Sequence, residues 1–192
     1  MNLPNKLTVL RLLATPLFLA ALLWTDLPHN FLIALIIFAA ASLTDMADGM
    51  IARKHNLITD FGKFLDPLAD KMLTTSAFLA FIALDIGYGV VWITFIVLIR
   101  EFLITSLRLI SAGHGKVVAA NSWGKAKTVS QMVSIIGCIF AEYLISLNIF
   151  GTAAVSAIRY CESAFLWISA VLTVISGIVY LIDNFQFIDP KK

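Results

Sequence analysis

Six long apolar stretches, joined by short polar connections, divide most of this 192-residue chain. The stretches cover residues 6–25, 31–54, 61–84, 89–112, 123–148 and 152–183. About 20 apolar residues are enough for a helix to cross the roughly 30 Å hydrocarbon core of a bilayer, where a helix satisfies its own backbone polar groups. Hydrophobic residues make up 60% of the chain, charged residues make up 14%, and the mean hydropathy is +0.92. We therefore predict an all-α integral membrane protein with six transmembrane helices, in one membrane-embedded domain over residues 1–192.

Most lysine and arginine residues near the ends of these stretches lie at alternate connections. They are Lys6, Arg11, Arg53, Lys54, Lys63, Lys116, Lys125, Lys127, Lys191 and Lys192. With six helices these positions fall on one face of the membrane, and Arg159 is the only basic residue of the opposite face. Because Lys and Arg beside helix ends stay preferentially in the cytoplasm, we expect both termini to be cytoplasmic.

Four aspartates lie at helical spacing where the second and third stretches meet. Asp45 and Asp48 are three residues apart, and Asp66 and Asp70 are four residues apart, so each pair shares one face of its helix. An ionisable group inside a membrane costs about 2.5 to 3.5 kcal/mol on insertion scales, so four carboxylates call for a compensating cation. Oxygen ligands without His or Cys favour Mg²⁺ or Mn²⁺ over Zn²⁺. The charge of four carboxylates balances two divalent ions, so we predict a two-ion site that opens toward the cytoplasm.

The aspartates belong to a longer pattern, whose positions are Asp45, Asp48, Gly49, Ala52, Arg53, Gly62, Asp66 and Asp70. Its order and spacing resemble, without a departure, the signature of the CDP-alcohol phosphatidyltransferases. The resemblance implies a six-helix membrane enzyme that uses two divalent ions to displace CMP from a CDP-activated lipid or alcohol. It also implies a homodimer in the bacterial cell membrane (the inner or cytoplasmic membrane), with the active site facing the cytoplasm.

The resemblance assigns roles to individual residues. It places the metal ions on Asp45, Asp48, Asp66 and Asp70, and it makes Asp70 also the base that takes the proton of the attacking hydroxyl. It places CDP-diacylglycerol against Asn5, Thr8, Arg11, Gly49, Ala52, Arg53, Thr59 and Gly62. For Arg11 a second interpretation stays open, because an arginine near the end of a membrane helix can extend its side chain to the interface.

Basic residues of the fourth and fifth stretches indicate the acceptor. The residues that resemble family members acting on glycerol 3-phosphate are Arg100, Glu101, Arg108, Gly124, Lys125, Lys127 and Thr128. A phosphate-bearing acceptor needs fixed cations, and we expect Arg100, Arg108, Lys125 and Lys127 to bind its phosphate. Two alternatives stay open: the lysines act only as topological charges, or Glu101 and Arg108 form a structural ion pair within the membrane.

The expected reaction moves the phosphatidyl group of CDP-diacylglycerol to glycerol 3-phosphate and releases CMP. Direct displacement is favoured, because no Ser, His or Cys stands beside a base as a covalent nucleophile. The same chemistry with phosphatidylglycerol, inositol phosphate or serine as acceptor is an alternative. An ion-coupled transporter is a remote one, since transporters disperse acids near the bilayer midplane and contain inverted repeats. We expect membrane lipids around the protein and no nucleic-acid partner.

Overall fold

The computed structural model describes residues 3–55, 60–113 and 122–185. Within these ranges the helices are α1 (Leu3–Leu23), α2 (Asn30–His55), α3 (Asp60–Ala83), α4 (Val90–Gly113), α5 (Ser122–Ser146) and α6 (Thr152–Asp183). The same ranges contain no β-strand. The predicted all-α class and the positions of the six helices are confirmed. The largest difference is at the start of α1, where Pro4 is accommodated because the first turn of a helix needs no backbone N–H donor.

Each of the six helices contains an apolar stretch within its described residues. Among the described residues, four stretches are long and apolar enough to cross a membrane: Asn5–Leu23, Val90–Ser111, Ser122–Ser146 and Thr152–Asp183. The remaining two helices contain shorter apolar stretches, Asn30–Thr44 in α2 and Lys71–Ala83 in α3. Asp45 directly follows the first of these and Asp70 directly precedes the second. The six-span count stays a prediction.

The six helices pack into a closed ring. Around the ring, α1 contacts α2, α2 contacts α5, α5 contacts α6, α6 contacts α4, α4 contacts α3, and α3 returns to α1. Buried apolar side chains fill the interior, among them Phe18, Phe38, Phe78, Phe81 and Ile139. Large apolar side chains also cover the outside, where Leu109 is 76% exposed and Phe102 is 69% exposed. An apolar surface of this extent suits contact with lipid.

Three connections lie at one end of the bundle, which we call the turn end: residues 24–29, 84–89 and 147–151. Each contains one non-glycine residue with positive φ, and these are His29 (56°), Asp85 (55°) and Asn148 (56°). Asn, Asp and His are the side chains that tolerate this left-handed conformation best. We call the opposite end, where α2 ends and α3 begins, the motif end.

The α3–α4 turn packs directly against α6. The backbone N–H of Tyr88 donates to Ser163 Oγ at 2.8 Å, and Trp167 Nε1 donates to the Tyr88 carbonyl at 3.0 Å. Gly87 has a φ of +86°, and a Cβ at this position would lie 2.5 Å from Leu166 Cδ1. The positive φ favours glycine here, and the turn lies directly against the Leu166 side chain of α6. Residues 163–167 of α6 consequently lie at the depth of the α3–α4 turn.

Candidate active site

The aspartate motif lies on the facing ends of two helices. Asp45 and Asp48 are in α2, Asp66 and Asp70 are in α3, and both helices pack against α1. The side chains of these four aspartates lie outside the described part of the structure. The same holds for Gly49, Ala52, Arg53 and Gly62 beyond their place in a helix, and for Thr59 altogether. Their roles in binding metal ions and CDP-diacylglycerol stay predictions.

A row of polar residues on α1 is buried, and Arg11 of this row contacts α2. Asn5, Thr8 and Arg11 are only 7%, 1% and 1% exposed. Arg11 Nε donates to the carbonyl oxygen of Ala41 on α2 at 3.3 Å. Ala41 is four residues, or about one helical turn, before Asp45. Arg11 is thus buried between α1 and α2 beside the motif, which differs from the exposed, interface-reaching side chain of the alternative.

A cluster of charged side chains joins α3, α4 and α5 around one carboxylate. Arg100 Nη1 lies 3.1 Å from Glu101 Oε1, and Lys71 Nζ lies 3.8 Å from Glu101 Oε2. Lys127 Nζ, on a side chain that is almost fully buried, also donates to Glu101 Oε1. We call these four residues the Glu101 cluster. Its cations outnumber its carboxylate three to one, so it suits an anionic ligand.

Lys71 connects this cluster to the aspartate motif. It follows Asp70 directly in the sequence, and its ammonium group contacts both Glu101 and the hydroxyl of Thr105 on α4. The turn of α3 that carries Asp70 is therefore fastened to the cationic cluster.

Helix α6 supplies partners for two arginines of α4. Arg100 Nη2 donates to Ser176 Oγ at 2.8 Å. Arg108 Nε donates to Tyr180 Oη at 3.0 Å, and the guanidinium carbon lies 5.5 Å from the centre of the tyrosine ring. A Cβ on Gly177 would lie 3.2 Å from Arg100 Cγ, so the glycine makes room for the arginine stem. These contacts fix both arginines between α4 and α6.

None of these α6 residues was singled out from the sequence. A signal was present, because buried hydroxyl side chains recur on one face of α6 at Ser169, Thr173, Ser176 and Tyr180. The spacings of three and four residues are those of a single helix face. A polar face inside an otherwise apolar helix indicates a polar partner within the bundle.

Helix α5 is held in register beside the cluster by two further contacts. Gln131, one turn after Lys127, donates from Nε2 to Thr173 Oγ1 on α6 at 3.2 Å. Ser42 Oγ of α2 lies 3.7 Å from the sulfur of Met132. Because α5 is tied on both sides, Lys127 is presented to Glu101 from a fixed helix.

The four residues predicted to bind the acceptor phosphate are only partly brought together. Arg100 and Lys127 share Glu101, whereas Arg108 lies about two turns further along α4 against Tyr180. The alternative in which Glu101 pairs with Arg108 is therefore wrong. Lys125 is exposed in the first turn of α5. Phosphate binding by these four residues stays a prediction.

Comparison with known proteins identifies the family to which the chain belongs. The fold is that of a helical protein with several apolar, membrane-type helices. A sequence model of the CDP-alcohol phosphatidyltransferases matches residues 1–175, and the chain belongs to this family, whose members use divalent metal ions. The resemblance seen in the aspartate motif is thereby confirmed.

Individual relatives cover nearly the whole chain. A Bacillus subtilis protein named CDP-diacylglycerol–glycerol-3-phosphate 3-phosphatidyltransferase is 37% identical over 96% of each chain. A Rickettsia bellii protein of the same name is 34% identical over 93% of each chain. A third, from Haemophilus influenzae, is 31% identical over 96% of this chain and 98% of its own.

Proposed function

We propose that the chain transfers the phosphatidyl group of CDP-diacylglycerol to glycerol 3-phosphate, releasing CMP and forming phosphatidylglycerophosphate, the precursor of phosphatidylglycerol and cardiolipin. Family membership and the names of the relatives support the reaction. One structural observation supports the acceptor most directly: Lys71, next to Asp70, contacts Glu101, whose other partners are Arg100 and Lys127. A cationic cluster suited to a phosphate thus adjoins the turn that carries the proposed base.

The donor set of the motif fits two divalent ions. Four carboxylates from the adjoining ends of α2 and α3 offer oxygen ligands only, which suits Mg²⁺ or Mn²⁺. We place both ions on Asp45, Asp48, Asp66 and Asp70. When bound, such a pair of ions polarises a phosphoryl group and stabilises charge on a leaving group.

The nucleotide and diphosphate of CDP-diacylglycerol are proposed to lie against the motif end of α1 and α2. Glycine and alanine positions leave room for the nucleotide, and Arg53 neutralises a diphosphate oxygen. The full set comprises Asn5, Thr8, Arg11, Gly49, Ala52, Arg53, Thr59 and Gly62. The burial of Arg11 beside Ala41 supports its inclusion, because a buried guanidinium near the motif is placed to pair with an anion.

In the chemical step, Asp70 accepts the proton of the primary hydroxyl of glycerol 3-phosphate. The hydroxyl oxygen bonds to the phosphorus that carries the diacylglycerol, and the bond from that phosphorus to the bridging oxygen breaks. CMP leaves with the electron pair. Arg100, Arg108, Lys125 and Lys127 hold the phosphate of the acceptor, and Glu101 orients Arg100 and Lys127 by its ion pairs.

We further propose a single domain over residues 1–192 with six spans in the bacterial inner membrane, assembled as a homodimer. The lysines and arginines of the motif end support cytoplasmic termini and a cytoplasmic active site. Single cysteines placed near Lys54 or near His29, in a variant lacking Cys138 and Cys161, test this orientation. We expect an impermeant thiol reagent outside intact cells to label only the cysteine near His29. The reverse pattern would overturn the orientation.

The reaction is tested with purified protein, Mg²⁺ or Mn²⁺, and CDP-diacylglycerol in mixed micelles. The acceptors are glycerol 3-phosphate, phosphatidylglycerol, serine, inositol and inositol phosphate, each supplied alone, and CMP release is measured. We expect CMP only with glycerol 3-phosphate, and release that is slower by about 10²-fold or more from an Asp70→Asn control. Release with a different single acceptor would reassign the substrate, and no release with any acceptor would contradict the proposal.

A further inference from the structure

A cavity of about 300 Å³ opens between α5 and α6, away from the proposed active site. Small residues form much of its wall, including Gly137 and Ala141 on α5 and Ala157 and Cys161 on α6. Among the described residues, Glu162 is the one charged residue that lines it. An unpaired carboxylate is costly in an apolar surrounding. The group that neutralises Glu162 therefore determines what the cavity can bind.

Glu162 is buried without a partner. Its residue exposure is only 3%, and within the described part of the chain neither carboxylate oxygen has a hydrogen-bond partner. Ser134 also lines the cavity, but its hydroxyl group is engaged with the carbonyl oxygens of Ser130 and Phe165. A buried carboxyl of this kind must be neutralised by a proton or by a cation.

The nearest basic side chain is already engaged. Arg159 Nη2 lies 3.4 Å from Glu142 Oε1 on the neighbouring helix α5. Two acids therefore share this region with one arginine. One further positive group is needed to balance the charge of the two carboxylates.

The acids lie at the depth of the α1–α2 and α3–α4 turns. Ser163, adjacent to Glu162, binds the backbone of Tyr88, and the rings of Tyr88 and Tyr160 are 5.4 Å apart. Tyr143, adjacent to Glu142, lies with its ring 6.0 Å from that of His29. Aromatic residues of this kind concentrate where a membrane meets water, at the level of the lipid headgroups.

From this level the cavity continues along apolar wall. Its lining extends on α5 from Ala141 to Val133, a distance of roughly 12 Å along the helix axis. On α6, Ile158 and Phe165 complete the apolar side. Glu162 lies within this lining, five residues after Ala157 and three before Phe165 on α6. A carboxyl group bordered by apolar wall matches the headgroup and upper acyl chain of a lipid.

We propose that this cavity binds a membrane lipid with a primary ammonium headgroup, an aminophospholipid, in the leaflet of the turn end. The ammonium donates to Glu162, and the acyl chain lies against the apolar wall. A second copy of the chain is a poorer match. Among the described residues, Arg159 is the only Lys or Arg in the turn-end half of the bundle, and it already pairs with Glu142.

The test compares lipid retention by wild-type protein and Glu162→Gln, which removes the charge at nearly constant size. Each protein is incubated in detergent with equal amounts of dioleoyl phosphatidylethanolamine, phosphatidylcholine and phosphatidylglycerol, and native mass spectrometry counts the lipids retained. We expect the wild type to favour phosphatidylethanolamine by about 10-fold, the scale of one charge-assisted hydrogen bond. Phosphatidylcholine should be disfavoured because its quaternary ammonium has no N–H donor. Glu162→Gln should lose the preference.

Asp85→Asn is the matched control, since it removes an exposed acid at the same end and Asn also tolerates the φ of 55°. It should keep the wild-type preference. A wild type without preference, or a Glu162→Gln protein that keeps it, would overturn the proposal.

Cys161 gives a second measurement that needs no variant, because it lines the cavity and is exposed. Phosphatidylethanolamine, and not phosphatidylglycerol, should slow its modification by N-ethylmaleimide. Equal rates in both lipids would contradict the site. A disulfide between Cys161 residues of two copies, formed in vesicles whatever the lipid, would assign the cavity to a protein interface instead.

Discussion

The two polar regions of this bundle have opposite charge ratios. In the Glu101 cluster one carboxylate contacts three cations, whereas at the turn end the carboxylates Glu142 and Glu162 accompany the single cation Arg159. Buried charge is costly in both places. The sign of the excess therefore indicates the sign of the missing ligand: an anionic phosphate in the first region and an ammonium group in the second.

The regions also differ in how their charges are secured. Every member of the Glu101 cluster is tied to a different helix or to a hydroxyl on α6, as in the contact of Arg100 with Ser176. Glu162 has no such tie among the described residues. A cluster held from several helices keeps its geometry for a reaction, while a lone carboxylate beside a cavity supports only binding.

The largest expected effect lies in the aspartate motif. Replacing Asp45, Asp48 or Asp66 with Asn removes a charged metal ligand, so CMP release should fall to background and excess Mn²⁺ or Mg²⁺ should restore little. Asp85→Asn, which removes an acid at the turn end, should keep full activity. Near-normal turnover by any of the three motif variants would contradict the two-ion site.

We expect Asp70→Asn to slow the chemical step but to leave substrate binding nearly unchanged. Loss of a general base lowers the rate of the chemical step by about 10²-fold or more, while binding of CDP-diacylglycerol should change little. Single-turnover CMP release measures the first quantity, and equilibrium binding of labelled CDP-diacylglycerol measures the second. If raised metal concentration repairs the loss completely, Asp70 is a ligand and not the base.

The acceptor phosphate gives the next effect. Arg108→Ala or Lys125→Ala should lower kcat/KM for glycerol 3-phosphate by roughly 10- to 150-fold, the equivalent of about 1.5 to 3 kcal/mol for a charge-assisted contact. The KM for CDP-diacylglycerol should hardly change. Arg108→Lys should rescue in part, because it keeps the charge but loses the planar guanidinium. Wild-type kinetics in both alanine variants would leave these residues as topological charges.

Two substitutions, one in each region, should change the stability of the fold by different amounts. Glu101→Gln leaves three cations without their carboxylate and should destabilise the fold by about 2 kcal/mol, below the roughly 3 to 5 kcal/mol scale of fully buried pairs because Lys71 is 34% exposed. Glu162→Gln removes a carboxylate without a partner and should leave stability in lipid-free detergent unchanged or higher. Thermal unfolding followed by size-exclusion chromatography measures both. An equal loss of stability in both variants would contradict the proposed difference between the two regions.

The helices could be predicted from the sequence because each follows from a local property, a run of apolar residues with polar connections. The motif aspartates were equally accessible, since two pairs at helical spacing in apolar surroundings are conspicuous. Arg100 and Lys127 were identified by residue type. Glu101 was also identified, but only as a possible partner of Arg108. Its ion pairs with Lys71 and Lys127 could not be predicted, because contacts among α3, α4 and α5 depend on how separate helices rotate toward each other.

The same limit explains what was missed on α6 and at the turn end. The hydroxyl of Tyr180 is one of many in apolar helices, and only packing against α4 gives it Arg108 as a partner. Glu162 lies three residues from Arg159, a spacing that favours an ion pair within one helix. In the structure Arg159 pairs with Glu142 on α5 instead, and this tertiary choice is what leaves Glu162 facing the cavity.

The smallest effect, and the sharpest comparison of the two ends, lies on α6 itself. Tyr180→Phe removes the hydroxyl that accepts a hydrogen bond from Arg108 but keeps the ring beneath the guanidinium. One such bond contributes about 1 kcal/mol, so kcat/KM for glycerol 3-phosphate should fall about 5-fold. Tyr160→Phe is the matched control, because Tyr160 is on the same helix at the turn end and is 65% exposed.

A positioning role for Tyr180 has a specific kinetic signature. The loss should appear in the KM for glycerol 3-phosphate, with kcat and the KM for CDP-diacylglycerol nearly unchanged, because the hydroxyl orients Arg108 and does not touch the reacting phosphorus. Combining Tyr180→Phe with Arg108→Ala should add little to the single arginine variant, since the hydroxyl acts through that side chain. Full additivity, or an equal loss in Tyr160→Phe, would show that Tyr180 stabilises α6 generally and that Arg108 is positioned by other contacts.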